Sequence, residues 1–249
     1  MEHYQVILAY DGTNFQGYQR QPDARTVQGV FEAALRALGW QDKSILAAGR
    51  TDTGVHASGQ VVAFDLQWAH TILDLLRALN DNLPSDVAVR EVMLASDDFH
   101  PRHAALARRY QYRLFCDPIR DPLREGYAWR IWPRVFQEPL ELALKYLIGS
   151  HDFAAFGAPH KPGGSTIREI SAASWHMDGS DLRFEVVGSA FLYHMVRRLV
   201  FVLVKIGQGE LHPEILVDLL NNPEQPRIHG LAPPQGLFLA EVIYPSSGR

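Results

Sequence analysis

The run Gly49-Arg50-Thr51-Asp52-Thr53-Gly54-Val55-His56-Ala57 sets one carboxylate between a guanidinium and an imidazole, with glycines bracketing the turn. An ionised carboxylate can act as a base, a metal ligand or a nucleophile. Arg50, two residues ahead of Asp52, is a cation able to keep it ionised and oriented. The flanking segments, Ser44 to Ala48 and Gln60 to Leu66, are short, apolar and β-prone, which predicts two strands joined by a tight loop. Such a loop holds a side chain rigidly and leaves it reachable. Judged by themselves, Asp52-Thr53-Gly54 also read as a turn whose aspartate hydrogen-bonds its own backbone.

A second stretch carries a different chemistry. Arg102, His103, Arg108, Arg109 and Arg113 follow closely on one another with no acid among them, interleaved with Tyr110 and Tyr112. Cations alternating with aromatics suit phosphates and a stacked base, or else an edge strand guarded by arginines. The net charge of -4 argues against a nucleic-acid partner, and this local distribution argues for one.

These side chains need a scaffold, and the periodicities predict one. Tyr4 to Tyr10 reads as a strand closed at Asp11-Gly12, and Thr13 to Arg25 as an exposed loop. Thr26 caps a helix from Val27 to Leu38, ended by Gly39. The strand pair around Asp52 follows, then a helix near Thr71 to Leu79 and a strand from Val87 to Leu94. This β-α-β-β-α-β order recurs: a strand Arg108 to Cys116, a helix Glu138 to Leu147, a hairpin Ile170 to Met177 with Leu182 to Val187 across Asp178-Gly179, a helix Phe191 to Ile206, and a strand Gly236 to Tyr244. The fold class is therefore α+β: two ferredoxin-like halves, residues 1–105 and 106–249, joined through antiparallel sheets with a central cleft. The helix Phe191 to Ile206 is apolar nearly all round, so it is buried, yet it carries His194, Arg197 and Arg198. Arg197 can pair with Asp52 across the cleft, or both arginines can reach solvent at a helix edge. Pro159 to Thr166 reads as a mobile loop.

The totals set limits. At 249 residues and 47% hydrophobic content the chain can bury a sizeable core. The lone Cys116 excludes an intramolecular disulfide and fits a reducing cytoplasm. Met1 to Gln5 include Glu2 and no apolar stretch, so no signal peptide is expected, and no apolar run is long enough to span a bilayer.

Several chemistries fail on context. An aspartic protease needs two carboxylates sharing a proton, and only one Asp-Thr-Gly is present, beside an arginine that opposes sharing. The histidines are scattered and lack metal-ligand spacing, so no metal site is expected. No glycine loop placed to cradle phosphates precedes a helix, so no nucleotide cofactor is expected either.

The nine-residue motif around Asp52 closely resembles the catalytic motif of the tRNA pseudouridine synthase A family. Collinear patches extend the resemblance over nearly the whole chain: Tyr10-Asp11-Gly12 with Phe15 and Gly17, Asn80 to Pro84, Phe99-His100, Arg108-Arg109-Tyr110, His151-Asp152-Phe153, Phe191-Leu192 with Met195-Val196-Arg197, and Gly236-Leu237. Thr53 stands where alanine is usual, and Phe201 where glycine is common; neither change removes a reactive group. The resemblance implies a cofactor-free homodimer that isomerises uridine to pseudouridine in the anticodon stem-loop of tRNA. It also implies Asp52 as the catalytic carboxylate, Tyr110 stacking on the uracil, and Arg50 and Arg197 as charge partners or phosphate ligands. The alternative is a non-catalytic RNA-binding protein built from two ferredoxin-like modules.

Overall fold

The computed structural model describes residues 1–222 and 229–245. The chain divides into two compact units, Met1–Leu106 with the chain from Phe238 onward, and Ala107–Leu237.

The first unit runs β1 (Glu2–Tyr10), α1 (Val27–Ala37), β2 (Leu46–Ala47), β3 (His56–Leu66), α2 (Ile72–Asn82) and β4 (Val87–Leu94). Strand β1 pairs antiparallel with β3 on one side and β4 on the other, and β2 lies antiparallel on the far edge of β3. This is the predicted split β-α-β order. Thr26 caps α1, its side chain accepting from the Gly29 N–H, and α1 packs Phe31 against Phe64 of β3 at 5.9 Å between ring centroids. Burying a side chain of that size stabilises the fold by about 1.5–3 kcal/mol. A reciprocal Thr71 and Asp74 capping box starts α2, and the Asn80 side chain bonds both the N–H and the carbonyl of Val89, fixing α2 to β4. Glu32 is buried on α1 with its charge met: it accepts from Gln28 and from the Ile45 N–H and pairs with Arg20.

The second unit holds β5 (Ala107–Cys116), β6 (Trp129–Ile131), α3 (Gln137–Lys145), β7 (Gly149–Asp152), β8 (Ile167–Asp178), β9 (Asp181–Gly188), α4 (Met195–Gly207) and α5 (Ile215–Asn221), then a 3-10 turn Pro234–Gly236. Its sheet order is β5-β9-β8-β7, with β6 parallel to β5. The β8–β9 hairpin turns at Gly179, whose φ of +58° glycine adopts without strain. Helices α3 and α4 pack where Gly207 leaves no room for a Cβ, which would lie 2.8 Å from Val135.

Four expectations need correction. The last strand, β10 (Leu237–Ile243), does not group with the second half: from Phe238 onward it belongs to the first unit, running parallel to β3 through Phe238↔His56 and Leu239↔Ala57. The division is thus not 1–105 and 106–249. Beyond the two residues of β2 the edge of β3 is open to another strand, and Gly59 permits the approach, since a Cβ there would sit 2.3 Å from the Ala240 carbonyl oxygen. The long helix begins at Met195, not Phe191, because His194 adopts a φ of +66° that a helix cannot continue through. Thr13 to Arg25 is not simply an exposed loop, since Phe15 and Tyr18 are buried anchors. The second unit also carries β6, β7 and α5 beyond the predicted repeat.

Candidate active site

Asp52 lies on the loop from β2 to β3, at the place along β3 where β2 gives way to β10. The loop is fastened on both sides of it. Ahead, Thr51 is buried; its carbonyl accepts from the Tyr18 N–H at 3.0 Å and its hydroxyl meets the Tyr10 hydroxyl at 2.8 Å. Behind, the Val55 N–H donates to the Asp52 carbonyl at 3.1 Å, closing a turn with Gly54 at the third position and a φ of +76°. The turn is closed by the aspartate's backbone carbonyl, which accounts for the glycine. Asp52, Thr53 and Gly54 rise clear of the buried neighbours Thr51 and Val55, Asp52 partly exposed and Thr53 exposed.

The segment Asp11–Tyr18 splints the loop from outside. A Cβ on Gly12 would lie 2.1 Å from the Val55 carbonyl oxygen, and Gly17, at a φ of +85°, passes close to the Thr51 carbonyl. Both positions need glycine for that reason. The Gly12 N–H donates to Nδ1 of buried His56 at 3.0 Å, which makes Nδ1 the lone-pair nitrogen of a neutral ring. An Asp11 oxygen lies 3.2 Å from the same nitrogen, but an ion pair there would need a proton on Nδ1. The backbone N–H carries its hydrogen in every state, so the backbone bond decides the tautomer. The Asp11 oxygen accepts instead from the Thr13 N–H and hydroxyl, at 2.9 and 2.6 Å. The His56 ring stacks on Phe238 of β10 at 4.7 Å, and the Gln60 side chain donates to the Gly49 carbonyl at 3.0 Å.

Arg50 extends an exposed side chain from this loop, and its charge is felt at the buried Tyr18 hydroxyl. That hydroxyl ionises far above the usual range, first because of burial, then because of Tyr10 and Glu32, with Arg50 opposing them.

In the second unit, Tyr110 is partly exposed on β5, opposite Val186 of β9. The Phe191 ring meets it edge-on at 5.0 Å and 79°, an arrangement that fixes the plane of the tyrosine. Gly188 makes room, since a Cβ there would press on Phe191 at 3.1 Å. Tyr112, two residues on, is fully buried and donates to the Pro233 carbonyl at 2.7 Å. Burial raises its pKa strongly, and the Arg197 charge works against that. Arg197 itself is 8% exposed on α4; its Nε donates to the Ala232 carbonyl at 2.7 Å, and the Ala232 N–H returns a bond to the Arg197 carbonyl. The guanidinium is thus a buried group with a fixed plane, and the solvent-edge alternative does not hold for it. Arg198 donates to the Phe156 carbonyl at 3.1 Å.

The basic strand is met by acid from its neighbour. Arg109 faces Glu185 of β9 at 3.9 Å, and Gln111 donates to the same residue. Arg108 donates to the Ser189 carbonyl at 2.9 Å. Arg102 and His103 are not on β5; they lie in a turn of the first unit, where the His103 and His100 rings are 4.2 Å apart. Burial first, then His103, lowers the pKa of His100. Among the described residues no group of three or more potential ligands is placed to hold a metal.

A family model described as tRNA pseudouridine synthase matches residues 6–103 and 143–245. The chain belongs to the tRNA pseudouridine synthase family. The tRNA pseudouridine synthase A of Oceanobacillus iheyensis is 38% identical over 100% of this chain and 99% of its own length. That of Geobacillus kaustophilus is 40% identical over 98% and 95%, and that of Myxococcus xanthus 39% identical over 98% and 92%.

In this family member Thr53 is exposed on the loop, a place where a departure from alanine costs little packing. Phe201 fills space against Gly230, where a Cβ would come within 2.3 Å of the ring, and Lys205 lies over the ring at 5.9 Å. A bulky residue on the helix is thus matched by a glycine at φ +118° across from it. The residues not assigned a role from sequence are Tyr10, Gly12, Gly17, Tyr18, Thr51, His56 and Gln60. All but Tyr18 and Gln60 stand in the motif patches quoted above, so the motif marked them as important without saying that they act on one another.

The Gly12 contact makes one prediction. Gly12→Ala should destabilise the fold by roughly 1–3 kcal/mol, because a backbone carbonyl cannot step aside by itself. Urea denaturation measures it, and a variant as stable as the parent would contradict the close approach.

Proposed function

We propose that this chain isomerises uridine to pseudouridine in tRNA, acting on the anticodon stem-loop, in the cytoplasm, as a homodimer without a cofactor. The observation that carries this reading is the family match across both units together with the intact motif around Asp52, a carboxylate left reachable on a loop fastened at both ends. The reaction breaks the bond between uracil N1 and ribose C1′, turns the base, and joins C5 to C1′; the C5 proton is then lost and N1 gains one. Asp52 serves by adding to the ribose carbon or by removing a ribose proton, and is regenerated at the end. The target base must leave its stack, which costs about a few kcal/mol, and Tyr110 offsets part of this by stacking, worth roughly 1–3 kcal/mol. Arg197 and Arg50 supply positive charge to the carboxylate or to the phosphates beside the target. No helix among the described residues is long and apolar enough to cross a membrane, in keeping with a diffusible RNA substrate.

A direct test is nucleoside analysis of a tRNA transcript after incubation with the protein. Pseudouridine should appear in the anticodon arm, and a transcript that is bound but unchanged would favour the non-catalytic RNA-binding reading. For the homodimer, light scattering should give twice the 28.0 kDa of the chain at working concentration. Full activity from a monomer would contradict it.

A further inference from the structure

Asp52 is held by its neighbour rather than by its own turn alone. We propose that Thr51 and Tyr10 form a positioning pair that sets the direction of the Asp52 carboxylate, a proposal that rests on the uridine-isomerase reading above. The hydroxyls of Tyr10 and Thr51 lie 2.8 Å apart, on residues 4% and 7% exposed. In so dry a setting a hydrogen bond is strong and directional. The Thr51 carbonyl is separately held by the Tyr18 N–H at 3.0 Å. With the side chain and carbonyl of residue 51 fastened, and the Asp52 carbonyl held by the Val55 N–H at 3.1 Å, the backbone is tied on both sides of the Asp52 Cα, and with it the direction of its Cα–Cβ bond.

The pairing of β1 with β3 is irregular at this contact, with Ser58 and Gly59 of β3 set against the single Ala9 of β1. Its register with β3 runs regularly from Glu2↔Leu66 to Leu8↔Gln60, then shifts so that Tyr10 stands opposite Ala57. A bulge of that kind re-aims a side chain, and bulges are frequent beside active sites. Here the shift falls beside Tyr10, whose hydroxyl reaches the loop. The tyrosine ring sits 6.4 Å from that of Tyr18, which backs the same loop. Neither Tyr10 nor Thr51 needs to touch the base. Their effect passes through the geometry of Asp52, and a misplacement of about 1 Å at a reacting group can cost 10²-fold in rate.

The test compares Thr51→Val, which deletes the hydroxyl at nearly constant shape, with Thr51→Ser, which keeps it, and with Tyr10→Phe and the Tyr10→Phe/Thr51→Val double variant. Steady-state kinetics use tRNA tritiated at uracil C5, with the folded fraction followed by circular dichroism at the assay temperature. Thr51→Val and Tyr10→Phe should each lower kcat by about 10- to 100-fold with KM for tRNA within about threefold, since only the alignment of the reacting group is lost. Thr51→Ser should stay within about threefold of the parent, and the double variant should be about as slow as the slower single one, as expected for partners in one bond. Parental kcat in Thr51→Val, a serine variant as slow as the valine one, or additive losses would each overturn the pairing. So would a fall in kcat that merely tracks the unfolded fraction. A parent protein that releases no tritium would overturn the isomerase reading and this proposal with it; an active parent beside unimpaired variants would overturn the positioning pair alone.

Discussion

Asp52→Asn is expected to bring pseudouridine formation below detection while leaving tRNA affinity within about a few-fold of the parent. The substitution keeps the shape of the side chain and removes its charge, and an amide neither adds to a ribose carbon nor takes a proton from one. The bonds of the Thr51 hydroxyl and carbonyl and of the Asp52 and Gly12 backbone should survive, because the substitution changes none of their atoms. Binding should therefore persist where chemistry does not, the pattern of a group that acts in the transition state. Single-turnover assays with filter-binding measurements separate the two quantities. Substantial pseudouridine formation by the variant would assign the chemistry to another group.

The second large effect belongs to Tyr110, for which two roles make different predictions. Tyr110→Phe keeps the ring and its edge contact with Phe191 at 5.0 Å and deletes only the hydroxyl. Tyr110→Leu removes the stacking platform and keeps some apolar bulk. If stacking is the whole role, the phenylalanine variant should turn over almost normally, and the leucine variant should lose on the order of 1–3 kcal/mol of substrate stabilisation. If the hydroxyl takes the C5 proton, the phenylalanine variant should itself slow by roughly 10²–10⁴-fold, the span of general base catalysis. We expect the second outcome, because the new C–C bond does not become pseudouridine until that proton leaves. Near-normal single-turnover conversion by Tyr110→Phe would reduce the residue to a platform.

How much of this was legible in the sequence depended on how local the cause was. Helix α1 is legible because Thr26 and Gly39 mark its ends and its apolar positions share one face, and the helix ends one residue short of the predicted end. The start of α4 is not, because Phe191 to His194 continue the apolar run while the backbone turns aside at His194, and composition carries no sign of a left-handed residue. Strands β6 and β7, of three and four residues, are too short to display a period. The residues of β10 read correctly as a strand, but its pairing of Phe238 with His56 joins segments far apart in the chain, and a pattern of alternation does not name its partner. At the site the same limit applies. The types at Asp52, Arg50, Tyr110 and Arg197 are visible in the motif, whereas the Tyr10 contact with Thr51 and the Gly12 contact with His56 span 41 and 44 residues and emerge only when β1 is laid against β3.

Tritium release from tRNA labelled at uracil C5 tests the central claim most directly. Replacing the N1 glycosidic bond by one to C5 must expel the hydrogen at C5, whereas binding the RNA or cleaving its other bonds leaves that hydrogen in place. The parent protein should release tritium over many turnovers without an added cofactor, and Asp52→Asn should release none above background. Tight binding of the labelled tRNA by the parent with the tritium fully retained would contradict the account.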